Sequence, residues 1–419
     1  MNTLPTRASS WRRTAQILLV VLFFVIPFSI AAVEILFFLL LASWLLGWIA
    51  SKEKPPSIWR SSTGEAILFS LLLYLAVCAW TIPFSSYPKL SLLGLVKKMF
   101  QFSLFCVIVA DVAQDPPIAR NLRRAMLFSA AFVALYCMLQ ELAVILFIGK
   151  QGVALDPIRR IPLFYDRMVG PYSNPNDLAT FLMVVVLAVA PLLLNRPIRS
   201  SIGLWTFSIV LMVCIAWTES KGAMLGMGIG LMLLFLGSTR NKGIGLKLAV
   251  IFFLTVGFFA VKGGDLLRNL TFSDTASHER SVMWHTAWRM IQMRPILGHG
   301  LNTFMANYLT YAVGPTQGPA YAHNCFLQIA AETGLFGLAA FLWFFWKLFS
   351  SGWRALKTAS GQASAYKPLL AGVMAGLIAF LVQSAFDTNL YSLRQAVLFW
   401  SFSGLAVGLS ASAAQRQES

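Results

Sequence analysis

The sequence predicts an all-α polytopic membrane protein with about twelve transmembrane helices, and three observations make that prediction. Apolar residues form 58% of the chain, charged residues only 12%, and mean hydropathy is +0.71. A soluble domain carries about a quarter charged residues. Second, twelve apolar runs approach the roughly 20 residues that a bilayer helix needs. They lie at about 15–31, 32–50, 65–84, 91–113, 125–148, 178–194, 201–217, 222–237, 246–262, 334–350, 368–386 and 395–411. Third, short basic connections recur on alternate sides of these runs, as the positive-inside rule asks. The whole chain, 1–419, reads as one membrane domain.

In order along the chain, Arg7, Arg12 and Arg13 precede the first run and assign the N-terminus to the cytoplasm. That run is too long, and too closely followed by a second, to be a cleaved signal peptide. Lys52, Lys54 and Arg60 follow the second run; Arg120, Arg123 and Arg124 follow the fourth, which itself holds Lys97 and Lys98. Arg196 and Arg199 follow the sixth run, and Arg240, Lys242 and Lys247 follow the short, glycine-rich eighth. Lys347, Arg354, Lys357 and Lys367 lie around the connection after the tenth run, and Arg416 stands in the C-terminal tail. Lys97 and Lys98 aside, these are 19 of the 33 basic residues. The others, among them Lys98, Lys221, Arg167, Arg280 and Arg394, fall on the outer side or its boundary, where the rule expects depletion. Lipid headgroups explain some of them, and binding of an anionic substrate would explain others.

The two extended outer segments are a loop at 149–177 and a large loop at 263–322 that contains a helix. The five cysteines form no C-x-x-C pair, and four of them lie within apolar runs, so neither a disulfide framework nor a zinc knuckle is expected.

All four histidines, His278, His285, His299 and His323, fall in the large loop or at its edge. Imidazole exchanges protons near neutral pH, so proton-transfer chemistry is expected there. Helical spacing over Glu279–Met293 puts Met283, Trp284, Ala287, Trp288, Met290 and Ile291 on one face, with Ser277 as a plausible N-cap. His285, Arg289 and Gln292 fall on the wet face. Arg280 falls within the apolar arc, where a guanidinium needs a partner; that partner is a phosphate or a carboxylate such as Asp274 or Asp387. Arg294-Pro295 and the glycines at 298 and 300 stop the helix and turn the chain, a scaffold role.

Asn324, Gln328 and Glu332 recur at i, i+4 and i+8, a polar stripe with His323 at its tip. A polar stripe at a bilayer must meet protein or substrate, and an imidazole there could take a proton from a hydroxyl. A metal site is the competing use of the histidines, but their spacing supplies no close ligand set. Lys221 occupies the short turn after the seventh run; its ammonium meets a lipid diphosphate there or is neutralised by Glu219.

With these residues in view, the chain resembles the O-antigen ligase family, within the superfamily of O-antigen ligases, O-antigen polymerases and protein O-oligosaccharyltransferases. The resemblance rests on Arg167-x-x-Gly170 running into Asn174-Pro175-Asn176, on Ser220-Lys221-Gly222, on Arg280 with Trp284, Trp288 and the 294–304 run, and on His323-Asn324 with Leu327, Glu332, Gly334 and Gly337.

It implies a glycosyltransferase in the bacterial inner membrane, with its active site facing the periplasm. Such an enzyme uses neither metal nor cofactor, inverts the anomeric centre, and moves a glycan from undecaprenyl diphosphate to a sugar hydroxyl of lipid A–core. His323 would be the general base. Arg280 would be the other catalytic residue, binding the diphosphate together with Arg167; Lys221, Asn324 and Asn174 complete the expected substrate-binding set. Where the family usually has arginine, this chain has Lys221, which keeps the charge and loses the bidentate fork. The expected partners are the two lipid-linked substrates and membrane lipids, and no nucleic acid. An O-antigen polymerase joining repeat units is the nearest alternative, and a membrane transporter a more distant one.

Overall fold

The structure, a computed structural model, describes residues 7–51, 59, 61–151, 167–194, 198–237, 275–314 and 318–418. The expected ninth span, the loop stretches 152–166 and 263–274, and Arg159, Arg160, Arg268 and Asp274 lie outside the described residues. The described residues form thirteen α-helices and no strand. The first eight are α1 (Arg7–Val25), α2 (Ile30–Ser51), α3 (Ser62–Trp80), α4 (Pro88–Gln114), α5 (Ile118–Gln151), α6 (Pro175–Leu194), α7 (Ile202–Trp217) and α8 (Lys221–Gly237). After them come α9 (Thr275–Met293), α10 (Phe304–Tyr311), α11 (Cys325–Thr358), α12 (Lys367–Ser384) and α13 (Leu393–Glu418).

Each of the eleven expected spans that fall on described residues coincides with a helix. Eight helices are long and apolar enough to cross a bilayer, and α7 and α8 are shorter apolar helices. Proline opens α4 and α6, where its missing N–H is one of the orphan donors of a first turn. Ser61 caps α3 by accepting from the Gly64 N–H at 3.1 Å.

The bundle is arranged around α13 and α6, the helices most thoroughly enclosed by the others. α13 packs on α4 and α11, α12 on α6 and α8, α11 on α3, and α1 on α2 and α5. Trp400 of α13 lies within ring contact of Phe102, Phe105 and Phe344. Between α12 and α8 the backbones approach closely: a β-carbon at Gly226 would stand 2.6 Å from the Ala379 carbonyl oxygen. Small residues at such crossings are what helices without an aqueous hydrophobic drive use to associate.

α11 is two helices joined by a break at Gly334, whose φ is 69°. Here the chain after α9 is laced to α11. The His299 and Gly300 N–H groups donate to the Ala331 and Glu332 carbonyls at 2.9 and 2.8 Å, and the Leu335 N–H donates to the Pro295 carbonyl at 2.8 Å. A β-carbon at Gly334 would strike the Ile296 carbonyl, so both the left-handed backbone and the close approach require glycine. The lacing sets α9 and α10 as a cap over one end of the bundle.

Gly334→Ala is expected to cost more than the roughly 1–2 kcal/mol of a left-handed alanine alone, because the Ile296 carbonyl must also move. Thermal unfolding of the detergent-solubilised protein should show a clear loss of stability for it, and none for Gly203→Ala, a helical position with open space around it.

Candidate active site

The capped end of the bundle collects segments distant in sequence. The Met168 N–H donates to the Trp217 carbonyl at 2.9 Å, joining the loop before α6 to the α7–α8 turn. Arg167 Nε donates to the Thr218 carbonyl at 2.7 Å and its Nη2 to Asn176 Oδ1 at 3.1 Å. Gln383 at the end of α12 donates to the Asn176 carbonyl at 3.1 Å. Gly222, the residue after Lys221, faces Gln383 and Phe386. The Phe386 ring lies 6.5 Å from Trp284 of α9, and Trp284 Nε1 donates to the His323 carbonyl at 3.4 Å. Contacts therefore run from Arg167 and the Lys221 turn to His323.

His323 stands one residue before the cap of α11 with φ 46°, a left-handed conformation that costs a β-carbon-bearing residue energy. Its Nδ1 is shut off from solvent and lies 3.4 Å from Asp387 Oδ1. The side chain is still 33% exposed, so the open edge of the ring is the one that carries Nε2. Asp387 is 7% exposed; its Oδ1 accepts from the Thr388 N–H at 2.7 Å and its Oδ2 is buried without a partner. A carboxylate beside Nδ1 favours the tautomer with its proton there, leaving Nε2 as a base that faces outward. At 3.4 Å the pair is long for a good hydrogen bond, as is common in sites without substrate.

Sequence reasoning missed this pairing and considered Asp387 as a partner of Arg280. The signal available was weak: one carboxylate in a short connection between two apolar runs.

The polar stripe turns out to be structural. Asn324 is the N-cap of α11, and its Oδ1 accepts from the Phe326 and Leu327 N–H groups, both at 3.0 Å. Gln328 accepts from the Ala322 N–H at 3.2 Å and donates to Glu332 at 3.3 Å. Glu332 is fully buried and also accepts from the Asn302 N–H at 2.8 Å, the Phe304 N–H at 3.2 Å and the Tyr391 hydroxyl at 3.0 Å. Burial holds the Tyr391 phenol well above its usual range, so it remains a donor.

Other expected positions divide. Arg280 is half-buried on α9, one turn before Trp284, and Lys221 is exposed at the first residue of α8. Asn174 accepts from the Asn176 N–H at 2.9 Å, which caps α6. Ser277 is not an N-cap, because α9 already includes Thr275. Trp288 is 54% exposed, not packed: α9 buries Thr286, Ala287, Met290 and Ile291, an arc narrower than expected, and the next position falls off its edge.

The histidines have separate surroundings. His285 is exposed and bonds to the Ser281 carbonyl of its own helix at 2.7 Å. His299 is buried against the Met290 carbonyl at 3.0 Å and the Tyr311 ring. The His278 side chain lies outside the described residues. Among the described residues no three of His, Cys, Asp and Glu come together as metal ligands.

Two outer cations read as anion-binding candidates are instead internal. Lys98 is buried with its ammonium 5.3 Å from the centre of the Tyr391 ring. Arg394 donates to the Pro27 and Pro171 carbonyls at 2.9 and 3.1 Å and stacks over Tyr172.

Residues 206–342, which hold Lys221, Arg280, His323 and Glu332, match the sequence profile of the O-antigen ligase family. The match covers about a third of the chain, and over that stretch the chain is similar to O-antigen ligases. It is 25% identical over 187 residues to a Rickettsia felis protein named "Putative polysaccharide ligase", a match that covers 41% of this chain and 45% of that protein. A Rickettsia prowazekii protein of the same description is 24% identical over 317 residues, 68% of this chain and 75% of its own length. The chain spans about half the length of the first of these relatives, and the eight long apolar helices among its described residues make it a multi-pass membrane protein.

Glu332→Ala is expected to leave the Asn302 and Phe304 N–H groups buried without an acceptor, at about 1–3 kcal/mol each. Thermal unfolding in detergent should show a large loss, with Glu332→Gln intermediate. A second expectation concerns pH. Burial lowers the His299 pKa from 6.5, with the nearby Arg294 adding to the effect and the Met290 carbonyl opposing it. The unfolded chain therefore binds this proton first, so stability falls as pH drops below about 6.5 and levels off below the folded-state pKa. Hydrogen exchange of residues 294–311 at pH 7.5 and 5.5 should show the loosening, and His299→Phe should flatten this dependence.

Proposed function

We propose that the chain is an O-antigen ligase that transfers a glycan from undecaprenyl diphosphate to a sugar hydroxyl of lipid A–core. In this reading the capped end of the bundle faces the periplasm from the inner membrane. The observation that carries the proposal is the His323–Asp387 pair, set at that end on a contact path shared with Lys221 and Arg167, in a chain whose residues 206–342 match the O-antigen ligase family.

The chemistry follows from the pair. His323 Nε2 takes the proton of the acceptor hydroxyl while Asp387 holds Nδ1 and stabilises the imidazolium that forms. The hydroxyl oxygen attacks the anomeric carbon, and the bond from that carbon to the diphosphate oxygen breaks in the same displacement, inverting the centre. Negative charge grows on the leaving lipid diphosphate. Arg280 and Lys221 are the cations assigned to it, and fixed charges aimed at developing charge are the largest single source of catalysis in such sites. Arg167 acts from one step further back in this reading, since its Nε and Nη2 hold Thr218 and Asn176 in place. Asn324 and Asn174 contribute as helix caps and not as direct ligands of substrate.

His323→Ala and Arg280→Ala are expected to abolish transfer, by 100-fold or more for a lost general base, while both variants accumulate in the membrane. The assay is a lipopolysaccharide gel from ligase-deleted cells expressing the chain. Restored long-chain ladders that vanish in His323→Ala support the ligase. Rescue of a polymerase-deficient strain, with no ladder in the ligase-deleted one, assigns the chain to repeat-unit polymerisation instead. His285→Ala, on the exposed face of α9, should transfer normally.

A further inference from the structure

The end of the bundle opposite the cap carries a groove along the seam of α1 and α5. α4 starts beside the cap, where Gly300 packs against Ser85 and Ser91, and runs away from it; its last turn and the start of α5 therefore mark the far end. The Gln16 side-chain amide donates to Asp115 there at 3.1 Å, which fixes α1 to the α4–α5 connection. Ser129 Oγ donates to the Phe24 carbonyl at 2.7 Å and closes the floor of the seam.

The groove encloses about 470 Å³, within the range of small-ligand sites. Its polarity is graded along its length. Arg124 and Asn121 stand at the end near the start of α5, and the rest is apolar, with Val21, Phe24, Phe128 and Phe132 as the principal walls. Phe24 meets Phe132 edge to face at 5.7 Å and bounds the apolar end. Val21, Phe128 and Phe132 are 39, 63 and 56% exposed in the protein alone, so the groove opens toward lipid. From Arg124 to Phe132 the helix rises roughly 12 Å, room for the upper part of an acyl chain.

Charge specifies the headgroup. Among the described residues no carboxylate pairs with Arg124, and Arg13 and Arg120 are also exposed. A cation at the membrane surface beside an apolar trough is complementary to an amphiphile whose head is an anion.

We infer that the α1–α5 groove is a binding site for one anionic phospholipid of the leaflet opposite the capped end, with its phosphate on Arg124 and Asn121 and an acyl chain along Phe24, Phe128 and Phe132. The inference is independent of the reaction proposed above. It gives the basic α4–α5 connection a specific ligand beyond its part in setting topology.

The test is native mass spectrometry of the full chain in an uncharged detergent, titrated with phosphatidylglycerol or phosphatidylcholine. The wild-type chain should retain one phosphatidylglycerol in preference to phosphatidylcholine. Arg124→Gln should lower phosphatidylglycerol retention about fivefold, to the level of phosphatidylcholine. Val21→Trp, which fills the trough and leaves the charge intact, should lower retention of both. Arg120→Gln, outside the groove, should lower phosphatidylglycerol retention much less than Arg124→Gln. Equal retention of the two lipids by the wild type would overturn the site, as would unchanged retention in Arg124→Gln or Val21→Trp. A loss in Arg120→Gln equal to that in Arg124→Gln would replace it with diffuse surface attraction. A stable dimer whose formation excludes both lipids would make the groove an interface between copies.

Discussion

Burying a carboxylate away from water is among the costliest things a fold can do, and Glu332 is tolerable only because four donors meet it. Those donors come from three stretches of chain: the Asn302 and Phe304 N–H groups from the turn before α10, Gln328 from α11 itself, and the Tyr391 hydroxyl from the α12–α13 connection. A hydrogen bond is electrostatically stronger in a low dielectric than in water, and a network this complete becomes more rigid there. The consequence reaches the site. His323 follows Ala322, which donates to Gln328, and Asp387 lies four residues before Tyr391. Both members of the pair are thus suspended from one carboxylate, and the register between them is set where neither is.

How much of this could be read from the sequence depends on what each signal measures. The spans were legible because a bilayer dictates both length and polarity, and a run of apolar residues reports both. The stripe Asn324, Gln328, Glu332 was legible as a periodicity, which tells which face is polar and leaves open what that face meets. Its partners sit at 302, 304 and 391, and no local pattern connects those numbers to 332. Asp387 was harder still, since a lone carboxylate in a short connection has no period at all. The misplacement of Trp288 has a different origin. A helical wheel assigns residues to a half-circle, whereas the groove that receives α9 admits only the strip through Ala287 and Met290.

The cations at the capped end look alike as sequence and separate sharply as structure. Arg394 draws the α1–α2 turn and the 171 loop onto the start of α13 through two carbonyls, and Arg294 does the same for the end of α3 through the Phe84 carbonyl at 2.9 Å. Arg167 binds the α7–α8 turn in this manner. Guanidinium suits the work, because its several fixed donors can meet carbonyls from different segments at once, and a carbonyl at the end of a helix has no partner of its own. A family motif that carries arginine therefore mixes two demands, assembly and charge. In the proposed reaction Lys221 and Arg280 are given the second.

The backbone at His323 is strained. Asn324 is extended, with φ −160°, because it must cap α11. The chain then turns through a left-handed conformation at 323, a cost of about 1–3 kcal/mol for a residue with a β-carbon. Glycine would occupy that position without strain, as it does at 298 and 334. A histidine is held there instead, by the indole of Trp284 on its carbonyl and by the cap that follows. In the proposed reaction that strained position holds the ring that takes the acceptor proton, its Nδ1 3.4 Å from Asp387.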